Sequence, residues 1–494
     1  MIHVIHRAEP ALAKPSPLDT FLAAAPWAEN GTTHVREQIR ARSYPRKEIA
    51  ELLRTYNQRI RNNDTAATHS LEAFAKEDSV CVITGQQVGF MGGPLYTILK
   101  GVTCLQVARE HNAVPLFWLA SEDHDLHEIN HAYQLDGKGN LHSFPIPFPT
   151  RHTFVEDIPF TASQKNALLS FLEPLKLGGS DWDFINESFG SYTSVMAQMM
   201  AKIFAGTGMV FLEPRILRPF AGPFFQKELK DAESIFNTIQ QTTERLILAG
   251  GEAQLQLAEG TNLFLKTPEL HRSKIRYNKG IFTVNAKQMT LKELLSAAEV
   301  HPDRFSTNAA ARTVLQSNLL PTLAYIAGPS ELNYYRQLKD YHALHSVPMP
   351  WIIPRSSATI VPSWAAELLH KCGLEAWDPI PAQWTPSKDK EERLLLREML
   401  SQKGIPYHAL HMLRNLLHPK DTLQERVLNW WFFQANLSEN LLQELLHLLN
   451  FRFQGHHYIL LVAEKWELGR RQSPGAFALA QIPVFNYEEY ISCV

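Results

Sequence analysis

Residues 80–131 constrain the fold of this chain most, because they contain two apolar segments that each end in polar or glycine residues. The first segment, 80–84, leads into a glycine-rich turn, and the second, 114–120, leads into a cluster of acids and histidines. Between them, apolar side chains recur at helical spacing over 95–111, so the pattern predicts a strand, a helix and a second strand. Because parallel strands end at a common sheet edge, we expect an α/β fold with a ligand site at that edge.

The same pattern returns further along the chain. Short apolar segments at 209–212, 320–327 and 350–354 are each followed by polar or turn-forming residues, which predicts further strands of one sheet. At 494 residues the chain is too long for one ordinary core. We predict an N-terminal helical segment, a core with two insertions, a helical region whose final strand returns to the core, and a tail. Their predicted bounds are 1–78, 79–386 with insertions at about 137–205 and 250–300, 387–465, and 466–494.

Composition argues against several classes of protein. With 48 basic and 50 acidic residues the net charge is -2, so neither nucleic acid nor a membrane is an expected partner. No apolar run approaches the roughly 20 residues that span a bilayer, and the N-terminus lacks the apolar segment of an export signal. The four cysteines are widely scattered, which suits a reducing compartment. We therefore expect a cytoplasmic protein.

The first strand end is rich in groups that bind small ligands. Its glycines let a ligand approach the backbone, and its two glutamine amides both donate and accept hydrogen bonds. The glycine spacing matches neither a dinucleotide-binding fingerprint nor a phosphate-binding P-loop. The alternative is a tight connection whose glutamines face water. The predicted substrate-binding residues here are Thr84, Gly85, Gln86, Gln87, Gly89, Gly92, Gly93 and Tyr96, and Lys100 is predicted to contact an anion.

The second strand end carries Glu122, Asp123, His124 and Asp125 in direct succession. The three carboxylates of this cluster repel one another unless a shared proton, a cation or a cationic substrate relieves the repulsion. A histidine between carboxylates suits proton removal from an amine near neutral pH. We therefore predict His124 as the base, Asp123 and Asp125 as its catalytic partners, and Glu122 as a substrate contact. A divalent metal site and a solvated loop stay open as alternatives, and no metal is assigned.

Three later segments supply further candidates for substrate contact. In the first, polar residues spaced four apart lie close to one face of a predicted helix. The second follows a glycine-proline turn after the 320–327 strand, and the third follows the last predicted core strand. Each side chain alone is more typical of a surface or structural position, but all are expected at one sheet edge. The predicted contacts are Asn308, Arg312, Gln316, Glu331, Tyr335 and Arg355.

Five segments of the chain resemble one known family. They read VITGQQVGFMGGPLYTILKG, VPLFWLASEDHDLHEINH, LLPTLAYIAGPSELNYYRQLKD, VPMPWIIPRSS and HPKDTLQERVLNWWFF. In these motifs, which span most of residues 50–465, the chain is similar to the bacillithiol biosynthesis cysteine-adding enzymes. The resemblance implies a Rossmann-like parallel sheet core with inserted connecting segments and a helical C-terminal part.

The resemblance also implies an activity. A member of this family would be a ligase that joins the carboxyl of L-cysteine to the amine of glucosaminyl-malate. ATP or another nucleotide would be the candidate for activating that carboxyl. Two other hypotheses stay open: a nucleotidyl- or acyl-transferase of Rossmann type that acts on another small substrate, and a non-catalytic ligand-binding protein.

One part of the family pattern is short in this chain. Members carry a long antiparallel coiled coil that supports dimerisation, and here about thirty residues, 387–417, occupy that place. The resemblance therefore implies a shortened coiled-coil arm and leaves open whether the protein is a homodimer.

Overall fold

A computed structural model describes most of the chain, and its elements are labelled in chain order. The described residues are 2–7, 31–89, 92–93, 95–123, 126, 129–135, 141–145, 154–172, 190–255, 260–267, 272–362, 390–402 and 457–462. The strands are β1 Ile2–Arg7, β2 Cys81–Gln86, β3 Val114–Leu119, β4 His131–Leu135, β5 Leu141–Pro145, β6 Val210–Leu212, β7 Leu263–Lys266, β8 Arg272–Asn278, β9 Ile281–Val284, β10 Lys287–Met289, β11 Phe305–Thr307, β12 Thr322–Ala327, β13 Trp351–Pro354, β14 Ser357–Pro362 and β15 His457–Val462. The α-helices are α1 Gly31–Arg40, α2 Arg46–Arg59, α3 Thr65–Phe74, α4 Leu95–Glu110, α5 Ala162–Leu172, α6 Tyr192–Ile203, α7 Pro214–Leu217, α8 Gly222–Lys230, α9 Ala232–Leu248, α10 Leu291–Val300, α11 Ala309–Leu319, α12 Pro329–Gln337, α13 Lys339–Leu344 and α14 Lys390–Gln402.

Five strands form a parallel sheet in the order β13, β12, β2, β3, β6. Adjacent residues of β3 face opposite sides of this sheet. Trp118 belongs to a core cluster with Leu53 of α2 and Phe74 of α3, whereas Phe117 packs on Phe204 after α6. Because both faces are covered, every residue of β3 and β12 is buried. The predicted α/β fold with a parallel sheet is confirmed.

The strand order reverses between β2 and β12, and we call this place the switch point. From β2 the chain first adds β3 and β6 on one side, and it later adds β12 and β13 on the other side. In open α/β sheets a crevice lies at such a reversal, outside the carboxyl ends of the two strands. Here those ends are Gln86 and Ala327, which are followed by helices α4 and α12. The topology therefore predicts a ligand site at this place.

An antiparallel sheet lies within residues 263–307, in the strand order β10, β9, β8, β7, β11. The β8–β9 hairpin turns at Lys279 and Gly280, whose φ angles of 46° and 87° are typical of a type I′ turn. Arg272 at the start of β8 and Thr307 at the end of β11 both contact the loop after β3. The insertion therefore reaches the same edge of the parallel sheet as the switch point.

Three features differ from the sequence prediction. Helix α6 lies within the predicted insertion 137–205, but nearly all its residues are buried and it precedes β6, so it belongs to the core. The N-terminal segment, predicted to be helical, also contains strand β1. The final strand β15 was expected to return to the core and instead pairs with β1 and β14 in a separate three-stranded sheet. These strands pair with partners that are distant in sequence, so no local pattern reveals the pairing.

Within the predicted helical region 387–465, the structure describes helix α14 and strand β15. Residues 390–402 of this region are helical, as the sequence predicts. The rest of the predicted arm and the tail 466–494 lie outside the described residues. Among the helices that are described, none is long and apolar enough to cross a membrane.

Two cysteines lie in the core, Cys81 on β2 and Cys104 on α4, and both are fully buried. Burial raises the pKa of the Cys81 thiol to about 12, and it also raises the pKa of Cys104. Because the thiolate is the reactive form, the raised pKa values keep both thiols protonated and unreactive near neutral pH. We expect iodoacetamide to leave both thiols unmodified in the folded protein and to modify both in urea. Peptide mass mapping measures this, and rapid labelling of either thiol under native conditions would contradict it.

Candidate functional site

A cavity of about 570 Å³ opens at the switch point. Its walls come from the ends of β2 and β3, the first turns of α11 and α12, and the antiparallel sheet. The lining residues are Gly85, Gln86, Gln87, Tyr96, Lys100, Ala120, Glu122, Asp123, Phe264, Arg272, Thr307, Asn308, Ala309, Arg312, Gly328, Pro329, Ser330, Glu331, Tyr334 and Arg355.

The cavity brings together many of the predicted site residues. Those that line it are Gly85, Gln86, Gln87, Tyr96, Lys100, Glu122, Asp123, Asn308, Arg312, Glu331 and Arg355. The described candidates that do not line it are Thr84, Gly89, Gly92, Gly93, Gln316 and Tyr335. The predicted catalytic residues His124 and Asp125 lie outside the described residues.

Three of the candidates away from the cavity wall have packing roles. The buried Thr84 hydroxyl donates to a backbone carbonyl of β12 at 3.1 Å. Tyr335 is buried, and its ring stacks against that of Tyr334. Gln316 lies eight residues after Asn308, and at 100° per residue this rotates its side chain by about 80° around α11. Gln316 therefore does not share the cavity-facing side of the helix, and its side chain is buried in the interior.

The glycines after β2 give the loop its shape. Gly92 and Gly93 have φ angles of 83° and 75°, which other residues rarely adopt. A Cβ on Gly89 would lie 2.6 Å from the Cα of Gly93, so the loop also packs closely on itself. Loop geometry therefore accounts for these three glycines, whereas Gly85, at the end of β2, lines the cavity.

Lys100 extends from α4 to the switch point, where its side chain is 4% exposed. Its Nζ lies 2.5 Å from the Glu331 carboxylate and donates to the Gly85 carbonyl at 2.9 Å and to Gln86 Oε1 at 3.0 Å. Burial lowers the pKa of Lys100, and Glu331 opposes this shift. Burial would raise the pKa of Glu331, but Lys100 and Arg312 outweigh it and hold that pKa below its ordinary value. The lowered pKa keeps Glu331 a carboxylate near neutral pH.

The Glu331 carboxylate accepts hydrogen bonds from several further donors. Its Oε2 accepts from the Gly328 N–H at 2.7 Å, and its Oε1 accepts from the hydroxyls of Tyr325 at 2.8 Å and Tyr334 at 3.4 Å. The Tyr334 hydroxyl in turn accepts from Arg312 Nη2 at 2.8 Å. The buried Nε of Arg312 has no hydrogen-bond partner among the described residues. Arg312 is thus the member of this network best suited to bind an anion in the cavity.

Amide, phenol and guanidinium groups line the cavity near the β2 end. Gln86 Nε2 donates to Gln87 Oε1 at 2.7 Å and to the Tyr96 hydroxyl at 3.4 Å. The Arg355 guanidinium lies over the Tyr96 ring, 5.3 Å from its centroid. Groups of these kinds suit the hydroxyls and carboxylates of a polar small molecule.

Another part of the lining combines two acids with an arginine. Glu122 accepts a hydrogen bond from the Thr307 hydroxyl at 2.8 Å. Asp123 Oδ1 lies 3.7 Å from Arg272 Nη1. The Arg272 guanidinium stacks on the Phe264 ring, 3.8 Å from its centroid. Asp123 is more open to a ligand than Glu122, because its side chain is 34% exposed and that of Glu122 is 7% exposed.

Glu122 also belongs to a buried charge network. Arg218, whose side chain is 5% exposed, contacts the Glu156 carboxylate at 2.5 and 3.0 Å and lies 3.7 Å from Glu122 Oε2. Burial raises the pKa of Glu122, and the nearby Arg218 and Arg272 limit that rise. This network holds one cavity acid in place and leaves Asp123 as the accessible one.

Several residues that line the cavity were not predicted from the sequence. Phe264, Arg272 and Thr307 come from the antiparallel sheet, and their approach to β3 depends on how the whole insertion packs. Nothing in the local sequence distinguishes buried Arg272 from Arg276, which is exposed on the same strand. Tyr334 lines the cavity where Tyr335 was predicted, and the helical rotation of 100° per residue separates the two side chains. The pair of adjacent tyrosines was the sequence signal that one of them lines the cavity.

The part of the chain that the structure describes holds no group of three or more His, Cys, Asp or Glu that could bind a metal ion. The acidic cluster after β3 also includes His124, Asp125 and Glu128, which lie outside that part.

Comparison with known proteins gives the family. Residues 12–356 match the family described as "Bacillithiol biosynthesis BshC, N-terminal Rossmann-like domain". The chain belongs to the BshC family. The matched range contains the five strands of the parallel sheet, which are β2, β3, β6, β12 and β13. The Rossmann-like fold expected from the sequence motifs is confirmed.

Several curated BshC relatives carry the name "Putative cysteine ligase BshC". The relative from Geobacillus kaustophilus is 30% identical over 374 residues, which cover 71% of this chain and 68% of the relative. That from Heliobacterium modesticaldum is 31% identical over 366 residues, covering 69% and 66%. That from Thermus thermophilus is 29% identical over 358 residues, covering 70% and 69%. The chain thus matches about two thirds of the length of these BshC proteins.

Proposed function

We propose that the protein joins L-cysteine to glucosaminyl-malate in the last step of bacillithiol biosynthesis. The amide forms between the cysteine carboxyl and the sugar amine. The name shared by the BshC relatives, cysteine ligase, supports this class of reaction. The observation that carries the proposal is that one cavity is lined by both basic and acidic groups, with Arg312 and Arg355 near the switch point and Glu122 and Asp123 after β3. Such a lining suits substrates that bring carboxylates and an amine that must lose a proton.

The acids after β3 supply the proton transfer in this proposal. A protonated amine has no lone pair with which to attack a carbonyl, so a base must first remove a proton. Asp123 is the most exposed of the described acids that line the cavity, and His124 follows it directly in the sequence. The pair His124 and Asp123 is therefore our candidate for the base, with Asp125 as the second flanking acid. The freed nitrogen bonds to the carboxyl carbon of cysteine as one carboxyl oxygen leaves.

A carboxylate oxygen is a poor leaving group, so the reaction needs an activating cosubstrate. We propose a nucleoside triphosphate, which takes up the departing oxygen on one of its phosphorus atoms. Arg312, Arg355 and the first turn of α12 lie in the cavity wall, and guanidinium groups and helix N-termini both favour phosphate and carboxylate oxygens. The net reaction then gives the amide and a phosphate-containing product that carries the oxygen lost by cysteine.

Mass spectrometry of a reconstituted reaction tests the proposal. Purified protein is incubated with glucosaminyl-malate, ATP and cysteine that carries ¹⁸O in its carboxyl group. We expect a product whose mass is that of the two substrates less one water, with one ¹⁸O atom in the released phosphate, pyrophosphate or AMP. Omission of ATP is the control. Consumption of another acyl donor while cysteine is ignored would indicate a transferase, and binding without turnover would indicate a binding protein. Either result contradicts the proposal.

A further inference from the structure

The ammonium group of Lys100 has three N–H bonds, and the structure provides three acceptors for them. The acceptors are the Gly85 carbonyl at 2.9 Å, Gln86 Oε1 at 3.0 Å and Glu331 Oε2 at 2.5 Å. Because the side chain is 4% exposed, a ligand anion reaches Nζ only by displacing one of these acceptors. The geometry therefore conflicts with the predicted role of Lys100 as an anion contact.

The three acceptors belong to two separate segments of the chain. Gly85 and Gln86 end strand β2, and Glu331 lies in the first turn of α12, directly after β12. Strands β2 and β12 are neighbours in the sheet, and the crevice opens between the segments that follow them. Lys100, which comes from a third element, α4, therefore connects the two sides of the crevice.

On the β2 side, Lys100 sets the orientation of the Gln86 amide. Since Oε1 accepts from Lys100, the Nε2 group is directed toward Gln87 and Tyr96. An amide without this contact is able to rotate and exchange its donor and acceptor ends.

On the α12 side, the effect of Lys100 passes through Glu331. The Glu331 carboxylate accepts from the Tyr334 hydroxyl, and that hydroxyl accepts from Arg312 Nη2. Arg312 lies in the cavity wall on the far side of this chain of contacts. One ammonium is thus connected to two groups that line the cavity, Gln86 and Arg312.

We propose that Lys100 is a positioning residue. It holds Gln86 and, through Glu331 and Tyr334, Arg312 in the arrangement that binds substrate, and it makes no bond to substrate itself. The inference rests on the proposed function, because it concerns how the same cavity receives glucosaminyl-malate. A cation is needed at this position because Glu331 is a mostly buried carboxylate that requires a counter-charge.

Two variants separate positioning from simple stabilisation. K100M removes the ammonium and leaves the Glu331 charge without that partner, and K100M/E331Q removes both charges. We expect K100M to melt at a lower temperature and to lose about 100-fold in kcat/KM for glucosaminyl-malate, mainly through KM. We expect the double variant to regain most of the melting temperature but not kcat/KM, because Gln86 and Arg312 are still not held. K227M is the matched control, since Lys227 pairs with Asp231 at the surface, and it should match the wild type in both measurements.

Hydrogen–deuterium exchange provides a readout that does not depend on turnover. We expect faster exchange in K100M in the peptides that contain residues 85–89 and 328–331, and in the double variant the faster exchange should persist at 85–89. Recovery of kcat/KM together with the melting temperature in the double variant would show that Lys100 only stabilises the fold. Unchanged exchange in K100M with a raised KM would show that Lys100 binds substrate directly. If the wild-type protein forms no amide, the proposed function fails, and the exchange data still decide the role of Lys100.

Discussion

Replacing Arg218 by methionine is expected to lower the free energy of unfolding by about 3–5 kcal/mol. The Arg218 side chain is 5% exposed, contacts both oxygens of Glu156 and lies 3.7 Å from Glu122. Without the guanidinium, two buried carboxylates lose their shared counter-charge, and breaking a buried ion pair costs more than the pair contributes. Urea denaturation with linear extrapolation measures the loss.

A surface ion pair is the matched control for this prediction. R54M removes the pair between Arg54 and Glu51, whose side chains are 33% and 71% exposed, and should change the free energy of unfolding by less than about 1 kcal/mol. R218M/E156Q should recover part of the loss of R218M, because it also removes one of the two carboxylates. A loss of less than about 1 kcal/mol in R218M itself would mean that the buried network does not stabilise the fold.

D123N is expected to lower kcat for amide formation by about 10²–10⁴-fold, with unfolding free energy close to that of the wild type. The asparagine keeps the shape of the side chain but cannot accept a proton or support a charged His124. Stability should change little because the Asp123 side chain is 34% exposed and its contact with Arg272 is long, at 3.7 Å. Steady-state kinetics at saturating glucosaminyl-malate and cysteine measure the effect.

Two further variants serve as controls for D123N. One tests whether the location of the aspartate matters, and the other tests whether His124 is the base. D231N neutralises a surface aspartate away from the cavity and should leave kcat unchanged. H124Q should lower kcat at least as much as D123N if the histidine is the base and the aspartate assists it. A kcat for D123N within about threefold of the wild type would exclude Asp123 from the proton transfer.

Parallel strands made much of this site predictable. The carboxyl ends of β2, β3 and β12 meet at one edge, so the polar residues after each strand converge without any knowledge of side-chain packing. Gln86, Asp123 and Glu331 accordingly line one cavity although they lie far apart in the sequence. The prediction was wrong further along helix α11. Over the eight residues from Asn308 to Gln316 the net rotation around the helix is about 80°, and the Gln316 side chain is buried in the interior.

Residues whose environment depends on distant packing were not predictable. Arg272 lines the cavity because the antiparallel insertion folds against the loop after β3. Arg218 is buried beside Glu156, which supplies the counter-charge that its burial requires. A buried arginine has the same local sequence pattern as a solvated one, and its partner is what distinguishes it. Lys100 illustrates a second limit. The sequence placed it at the sheet edge, but it could not show that protein acceptors already occupy its three donors.

A crystal structure of the protein with glucosaminyl-malate tests most directly whether the switch-point cavity is the active site. We predict ligand density between Gln86, Arg312 and Asp123, with the sugar amine within about 4 Å of the Asp123 carboxylate or reached through one water. Ligand bound at another surface, with solvent in the cavity, would contradict the proposed site.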